Sequence, residues 1–124
     1  MNAAPMNAIA PLDAVPDGGA RGASVESAGA RRALILIRRG GRVFAYVDAC
    51  PHLGTPLETF PDRFIDATGR YLLCSTHGAL FRFADGHCVF GPCLGKALAA
   101  VPVAVENGAI VLTGPIPPPP EPQR

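Results

Sequence analysis

The sequence predicts an all-β fold, a small antiparallel sandwich or barrel, and three observations support this. Fourteen glycines and fourteen prolines interrupt the chain every few residues, which leaves little room for helices. Short runs rich in β-branched and aromatic residues lie between these interruptions. Several of the runs are joined by glycine-containing loops of hairpin length. At 124 residues we expect a single domain with a modest core.

Three hairpins account for most of the predicted strands. They pair residues 33–37 with 42–47, residues 71–74 with 79–83, and residues 101–106 with 109–114. The first loop is "RRGG", the second is "STHG", and the third is Asn107-Gly108. Asn-Gly is among the strongest short hairpin signals, because both residues accept a positive φ.

The two ends of the chain differ in composition from the middle. Residues 1–7 are predicted to form a flexible tail and residues 8–114 the folded domain. Residues 115–124, "PIPPPPEPQR", predict an extended, polyproline-like tail outside the core. The N-terminal sequence lacks the basic start and unbroken apolar stretch of a secretory signal, so we expect a cytoplasmic protein.

Charge and hydrophobicity exclude two classes of partner. The formal net charge is +1, and the arginines are spread over several segments, so we do not expect them to gather on one face and we expect no nucleic-acid binding. Hydrophobic residues make up 48% of the chain, yet no apolar run approaches the ~18 residues of a membrane helix, so we expect no membrane partner. In a reducing compartment, the four cysteines are expected to be metal ligands or free thiols.

Two cysteine–histidine pairs point to a metal centre. "CPHLGT" (50–55) holds Cys50 and His52, and "CSTHG" (74–78) holds Cys74 and His77. Each pair lies at the end of a predicted strand, and 21 residues separate His52 from Cys74. Two thiolates and two imidazoles suffice for one metal centre.

Other interpretations of the cysteines and histidines remain open at this point. Structural zinc accepts two cysteines and two histidines, although its usual spacing pairs like with like. A four-cysteine cluster that includes Cys88 and Cys93 matches neither common ferredoxin spacing. These two cysteines are close enough in sequence for a disulfide, but we expect buried or half-buried free thiols. His87 matches no ligand position and is expected to face solvent.

The two boxes, Cys-x-His and Cys-x2-His, resemble those of Rieske proteins, which bind a 2Fe–2S cluster through two cysteines and two histidines. The resemblance extends from about residue 8 to residue 114, through segments 11–18, 42–58, 77–98 and 101–112. It implies the Rieske fold, in which two loops form a cluster-binding subdomain. It implies one cluster per chain, with Cys50 and Cys74 on the inner iron and His52 and His77 on the outer iron, near the surface.

Three glycines also match the family. Gly54 and Gly78 follow the ligand pairs, and either let backbone amides approach the cluster sulfurs or simply mark the turns. Gly91-Pro92 resembles the proline loop that covers the cluster.

The resemblance implies a soluble one-electron carrier rather than an enzyme. Its donor would be a flavin-dependent reductase and its acceptor an oxygenase or another redox enzyme. The chain is not an oxygenase itself, because the additional iron site needs two histidines and a carboxylate, and only His87 remains after His52 and His77. The alternatives are a zinc-stabilised Cys2His2 interaction module and a cluster-based redox sensor.

Three positions indicate the ferredoxin-like branch of the family. Thr55 and Thr76 stand where Rieske subunits of respiratory complexes carry a bracing disulfide, and Ala79 stands where high-potential members carry a serine. Rieske centres span roughly −150 to +300 mV, and we expect a value in the lower part, at or below about zero. A small apolar docking face is predicted from the residues that flank the ligands, Leu53, Ala79, Pro92 and Leu94.

Overall fold

The structure is a computed structural model and describes residues 8–27, 29–51, 54–58, 63–76 and 78–120. Within these residues lie nine strands and one short 3₁₀ helix. The strands are β1 (Ala8–Pro11), β2 (Ala20–Ser27), β3 (Ala30–Arg39), β4 (Arg42–Val47), β5 (Tyr71–Cys74), β6 (Ala79–Arg82), β7 (Cys88–Phe90), β8 (Val103–Glu106) and β9 (Ala109–Leu112), and the 3₁₀ helix is Leu12–Ala14.

The strands form three antiparallel sheets of three strands each. Their orders are β1-β9-β8, β2-β3-β4 and β5-β6-β7. The predicted all-β, antiparallel class is therefore confirmed.

The three predicted hairpins are β3–β4, β5–β6 and β8–β9. The β8–β9 turn has φ of +51° at Asn107 and +76° at Gly108, as the Asn-Gly pair predicts. Sequence reasoning missed β1, β2 and β7. β2, "ARGASVES", combines Gly, Ser and charged residues, and owes its order to eight paired positions along β3 rather than to its own propensity.

β3 is buried on both faces. Leu34 and Leu36 contribute to one hydrophobic cluster, and Ile35 and Ile37 to another. Successive side chains of a strand point to opposite faces, so both faces of this sheet are covered at β3. This double burial explains why the sequence here is continuously apolar instead of alternating.

Tyr46, on β4, links the β2-β3-β4 sheet to the residue that follows β6. Its ring is 2% exposed and its hydroxyl donates a hydrogen bond to the carbonyl oxygen of Phe83 at 2.6 Å. Burial, together with the nearby negative charge of Asp85, raises the pKa of Tyr46 to about 12. The phenol therefore stays neutral and keeps donating across the physiological range.

The proline-rich segment is not wholly separate from the core. Ile116 packs against the cluster that contains Leu34 and Leu36, and Arg32 Nη2 donates to the carbonyl oxygen of Pro117 at 2.6 Å. Ile116 is partly buried on the surface of the core without being one of its buried members. Proline removes amide donors but leaves carbonyl acceptors, so the segment can still bind the domain. The predicted tail 1–7 and residues 121–124 lie outside the described residues.

In the part of the chain that the structure describes, no helix has the length and hydrophobicity needed to cross a membrane.

Gly86→Ala should destabilise the fold more than Gly69→Ala. Both glycines have positive φ, +71° and +77°, so both substitutions carry a left-handed backbone cost of about 1–2 kcal/mol. A Cβ at Gly86 would lie 2.7 Å from Tyr46 Cε1, whereas a Cβ at Gly69 meets nothing within 4 Å. Displacing the Tyr46 ring should add about 1–3 kcal/mol, measured as the difference in free energy of urea unfolding. Equal losses in the two variants would contradict this packing.

Candidate metal centre

The two predicted thiolate ligands are both buried at the ends of strands. Cys50 follows the end of β4 by three residues and is 2% exposed, and Cys74 is the last residue of β5 and is 1% exposed. Both belong to the hydrophobic cluster that also contains Ile35 and Ile37. The fold thus places the two thiols in the interior, where solvent does not compete for them.

The two cysteine loops close in the same way. The Gly54 N–H donates to the carbonyl oxygen of Cys50 at 2.7 Å, and the Gly78 N–H donates to that of Cys74 at 2.8 Å. Their φ values are +77° and +73°, in the left-handed region that favours glycine. Of the two roles expected for these glycines, the structure shows the turn: each amide donates to a cysteine carbonyl.

Leu57 connects the two loops. Its N–H donates to Asp48 Oδ1 at 2.9 Å, and its carbonyl oxygen accepts from the Ser75 N–H at 2.8 Å. Its side chain is fully buried. The sequence contains only a weak signal for this brace, a carboxylate just after an apolar strand, which is typical of a turn.

His52 and His77, the two predicted imidazole ligands, lie outside the described residues, as does Leu53. The other predictions for His and Cys can be compared with the structure. His87 is exposed, as expected, and its N–H donates to Asp85 Oδ1 at 3.0 Å. All four cysteines are buried and reduced, and this confirms the expectation of thiols for Cys88 and Cys93.

The loop after β7 packs onto the second box. Gly91 has φ of +109°, and a Cβ there would lie 2.8 Å from Ala79 Cα. Only a glycine fits this approach, so Gly91 brings the loop against the residue that follows Gly78. Ala79 is fully buried as a result, and the prediction that it forms part of an exposed docking face is wrong.

Residues of this loop and the last residue of β7 are exposed and apolar. Leu94 is 66% exposed, Phe90 is 63% exposed, and Pro92 is also exposed. Sequence reasoning predicted Pro92 and Leu94 in this face but missed Phe90. In the sequence, Phe90 follows two residues of an apolar strand and gives no sign that it faces solvent.

Two thiols lie beneath this surface. Cys93 Sγ is 3.3 Å from Cys88 Sγ, within hydrogen-bonding distance, and Cys88 Sγ is 3.2 Å from the carbonyl oxygen of Phe90. Burial and the neighbouring Cys88 raise the pKa of Cys93 to about 12, and a hydrogen bond with Cys50 opposes part of this rise. Cys93 is therefore in contact with a predicted cluster ligand.

The arginines are not dispersed in space. A cavity of about 440 Å³ is lined by Arg39, Arg42, Arg70, Arg82, Phe44, Phe83 and Ala84. The Arg39 and Arg42 guanidinium carbons lie 5.3 Å and 5.1 Å from the ring centroids of Phe83 and Phe44. The expectation that arginines do not gather on one face is wrong, because strand ends and turns that are distant in sequence meet here. This basic cavity is at the opposite end of the β5–β6 hairpin from Cys74.

The family model for the Rieske [2Fe-2S] domain matches residues 7–107. No curated protein sequence matches the chain significantly.

Several solved structures share the fold. Sphingomonas yanoikuyae B1 ferredoxin has a TM-score of 0.70 and 26% identity, over 87% of this chain and 97% of that one. The ferredoxin of carbazole 1,9a-dioxygenase from Nocardioides aromaticivorans IC177 has a TM-score of 0.67 and 22% identity, over 87% and 95%. A chain in a complex of reduced oxygenase and oxidised ferredoxin in carbazole 1,9a-dioxygenase has a TM-score of 0.67 and 24% identity, over 90% and 94%.

The family match covers most of the chain, the fold is that of Rieske-type ferredoxins, and the two buried thiols suit the cysteine half of the family's donor set. The chain belongs to the Rieske [2Fe-2S] domain family, and its cofactor is a 2Fe–2S cluster.

Proposed function

We propose that this protein is a soluble, cytoplasmic one-electron carrier that passes electrons from a flavin-dependent reductase to a terminal oxygenase. One observation carries the proposal: the loop that packs on the second box through Gly91 also presents Phe90 and Leu94 to solvent. A buried redox centre beside a small apolar surface is what a transient electron-transfer partner requires. Among the structural relatives, carbazole 1,9a-dioxygenase supplies a solved complex of oxygenase and ferredoxin.

For the cluster we propose four ligands: Cys50 and Cys74 on the inner iron, and His52 and His77 on the outer iron. The burial of both thiols and the shared closure of their loops support the cysteine half. The spacing of the two boxes supports the histidine half. Two neutral imidazoles in place of two thiolates remove two negative charges, which favours acceptance of an electron.

The chain's own residues would perform three tasks around the cluster. The hydrophobic side chains of Ile35, Ile37 and their neighbours keep water from the thiolates of Cys50 and Cys74. Asp48 and Leu57 fix the separation of the two loops, so little rearrangement accompanies gain or loss of an electron. The loop from Cys88 to Lys96 shields the second box and provides the surface that a partner contacts.

Substitution of either proposed imidazole ligand should remove the cluster signal. His52→Ala and His77→Ala should each abolish the electron paramagnetic resonance spectrum whose mean g value is below that of four-cysteine clusters. Cys88→Ser and Cys93→Ser serve as matched controls, since neither position is a proposed ligand, and should retain the spectrum. A colourless wild-type protein with stoichiometric zinc, or a cluster that survives His77→Ala but not Cys88→Ser, would contradict the assignment.

Leu94→Asp should slow electron transfer to an oxygenase without changing the cluster spectrum. Leu94 is 66% exposed, and a carboxylate placed there would have to lose its hydration when an apolar partner surface covers it. If this weakens binding to the oxygenase by more than ~1 kcal/mol, the second-order rate should fall at least about fivefold. Stopped-flow reduction of a terminal oxygenase, such as that of carbazole 1,9a-dioxygenase from Nocardioides aromaticivorans IC177, provides the measurement. Ala84→Asp is the control, because Ala84 is exposed beyond the far end of the β5–β6 hairpin and carries the same change of charge. Equal rates in the two variants would exclude this face.

The reduction potential should lie at or below about zero within the family range of roughly −150 to +300 mV. Ala79 is fully buried under Gly91 and offers no hydroxyl donor beside the second box. Ala79→Ser should raise the midpoint, because a hydroxyl enclosed there would donate towards the cluster, whereas Ala79→Gly should not raise it. Protein-film voltammetry measures all three proteins. A wild-type midpoint near the upper end of the range would contradict the prediction.

A further inference from the structure

Cys88 and Cys93 form a close pair of thiols that the electron-carrier function does not use. Their sulfurs are 3.3 Å apart, and Cys88 and Cys93 are 5% and 0% exposed. Sulfurs in a disulfide are about 2.05 Å apart, so a bond between them needs an approach of little more than 1 Å.

The backbone around the pair is closed on itself. The Cys88 N–H donates to the carbonyl oxygen of Lys96 at 2.8 Å, and the Lys96 N–H donates to that of Cys93 at 2.9 Å. The two cysteines are therefore held on facing sides of one short loop. Gly95, two residues after Cys93, has φ of +89° and open space beside it, and can take up the small adjustment that a covalent bond requires.

We propose that Cys88 and Cys93 are a reversible dithiol–disulfide site, oxidised by a low-molecular-weight disulfide and reduced by thiols. This site goes beyond the proposed electron transfer, since it exchanges two electrons through sulfur alone.

The reaction balances as two successive exchanges. The Cys88 thiolate attacks one sulfur of the disulfide RSSR, which breaks the S–S bond and releases RS⁻. Cys93 then attacks the Cys88 sulfur of the mixed disulfide and expels the second RS⁻. The two thiol protons leave with the two RS⁻ groups as RSH, and the protein loses two electrons to the oxidant.

The order of attack follows from the geometry. Cys88 is the more exposed of the two thiols and is reached first. Cys93 is fully buried, so an external disulfide does not reach it and it takes part only in the second, intramolecular step. Its sulfur already lies beside that of Cys88.

Oxidation would change the surface above the pair. In the reduced form the Cys93 S–H donates to Cys88 Sγ and the Cys88 S–H donates to the carbonyl oxygen of Phe90. A disulfide donates neither bond and closes a covalent ring over residues 88–93. Phe90 lies inside that ring and Leu94 next to it, so the thiol state would control the freedom of the exposed apolar surface.

Peptide mass mapping of the cluster-loaded protein provides the test. The loaded protein is incubated without oxygen in an excess of oxidised glutathione, then alkylated under denaturing conditions and digested with trypsin. Cleavage after Arg82 and Lys96 gives peptide 83–96, which contains Cys88 and Cys93 but neither Cys50 nor Cys74. We expect this peptide to have lost two hydrogen atoms and to carry no alkyl group. Treatment with dithiothreitol before alkylation should restore two thiols, both of which are then alkylated.

Two variants identify the order of attack, and visible absorption reports on the cluster. Cys93→Ser should stop at a glutathione adduct on Cys88, whereas Cys88→Ser should remain unmodified. The proposal is overturned if peptide 83–96 of the wild type stays fully alkylated, or if its disulfide appears only after the visible absorption has been lost. A disulfide in peptide 83–96 of a protein that fails to reduce any oxygenase would support this site and count only against the proposed partner.

Discussion

β3 is buried on both faces, and the two hydrophobic clusters of the domain meet through it. One cluster receives Leu34 and Leu36 and extends towards β9 and the C-terminal segment. The other receives Ile35 and Ile37 and includes Cys50 and Cys74. The half of the molecule that contains the two proposed cysteine ligands therefore packs on a strand that the rest of the fold already fixes from the other side. A loss of packing at β3 would reach the metal centre directly, because interiors are close-packed and transmit displacement.

A glycine closes the loop that follows each of the two proposed thiolate ligands, Cys50 and Cys74. A strand that ends in a buried thiol must turn sharply if the next residues are to return to the surface, and the carbonyl of the cysteine must still find a donor. Gly54 and Gly78 satisfy both requirements by adopting a positive φ and donating to that carbonyl. The two boxes differ in the spacing from cysteine to histidine but share the spacing from cysteine to glycine. The cysteine-to-glycine spacing is therefore the one that sets the backbone of both loops.

Local chemistry made a large part of this structure predictable. Asn107-Gly108 and the loop with Gly40 and Gly41 specify their hairpins without help from distant residues. The paired boxes predict a donor set of two cysteines and two histidines, and the structure describes the two cysteines as buried. The features that sequence reasoning missed depend on contacts between distant segments. Ala79 is buried because Gly91 lies on it, and Ile116 is covered because β3 and its neighbours offer an apolar surface. Alternation along β6 places Ala79 on the same buried side as Phe81, but the cover that Gly91 provides comes from a segment beyond the strand.

The convergence of the arginines has the same origin and shows why net charge is a poor guide to local charge. The chain as a whole is nearly neutral, yet one cavity is lined by four arginines, Arg39, Arg42, Arg70 and Arg82. Among these four, a described salt bridge is present at Arg82, which pairs with Asp85 at 2.7 Å. Strand ends bring these side chains together, and phenyl rings hold two of the guanidinium groups in place.

The loop from Cys88 to Lys96 combines functions that are usually separated. Through Gly91 it covers the second box, through Phe90 and Leu94 it forms an apolar surface, and beneath that surface it holds two thiols. Exposed apolar side chains cost a monomer solubility, so their retention next to a buried redox centre indicates a contact surface. The cover, the contact surface and the thiol pair share one short backbone segment, so a disulfide between Cys88 and Cys93 would constrain the backbone that carries Phe90. Oxidation of this thiol pair could therefore affect electron delivery without a conformational change in any other segment.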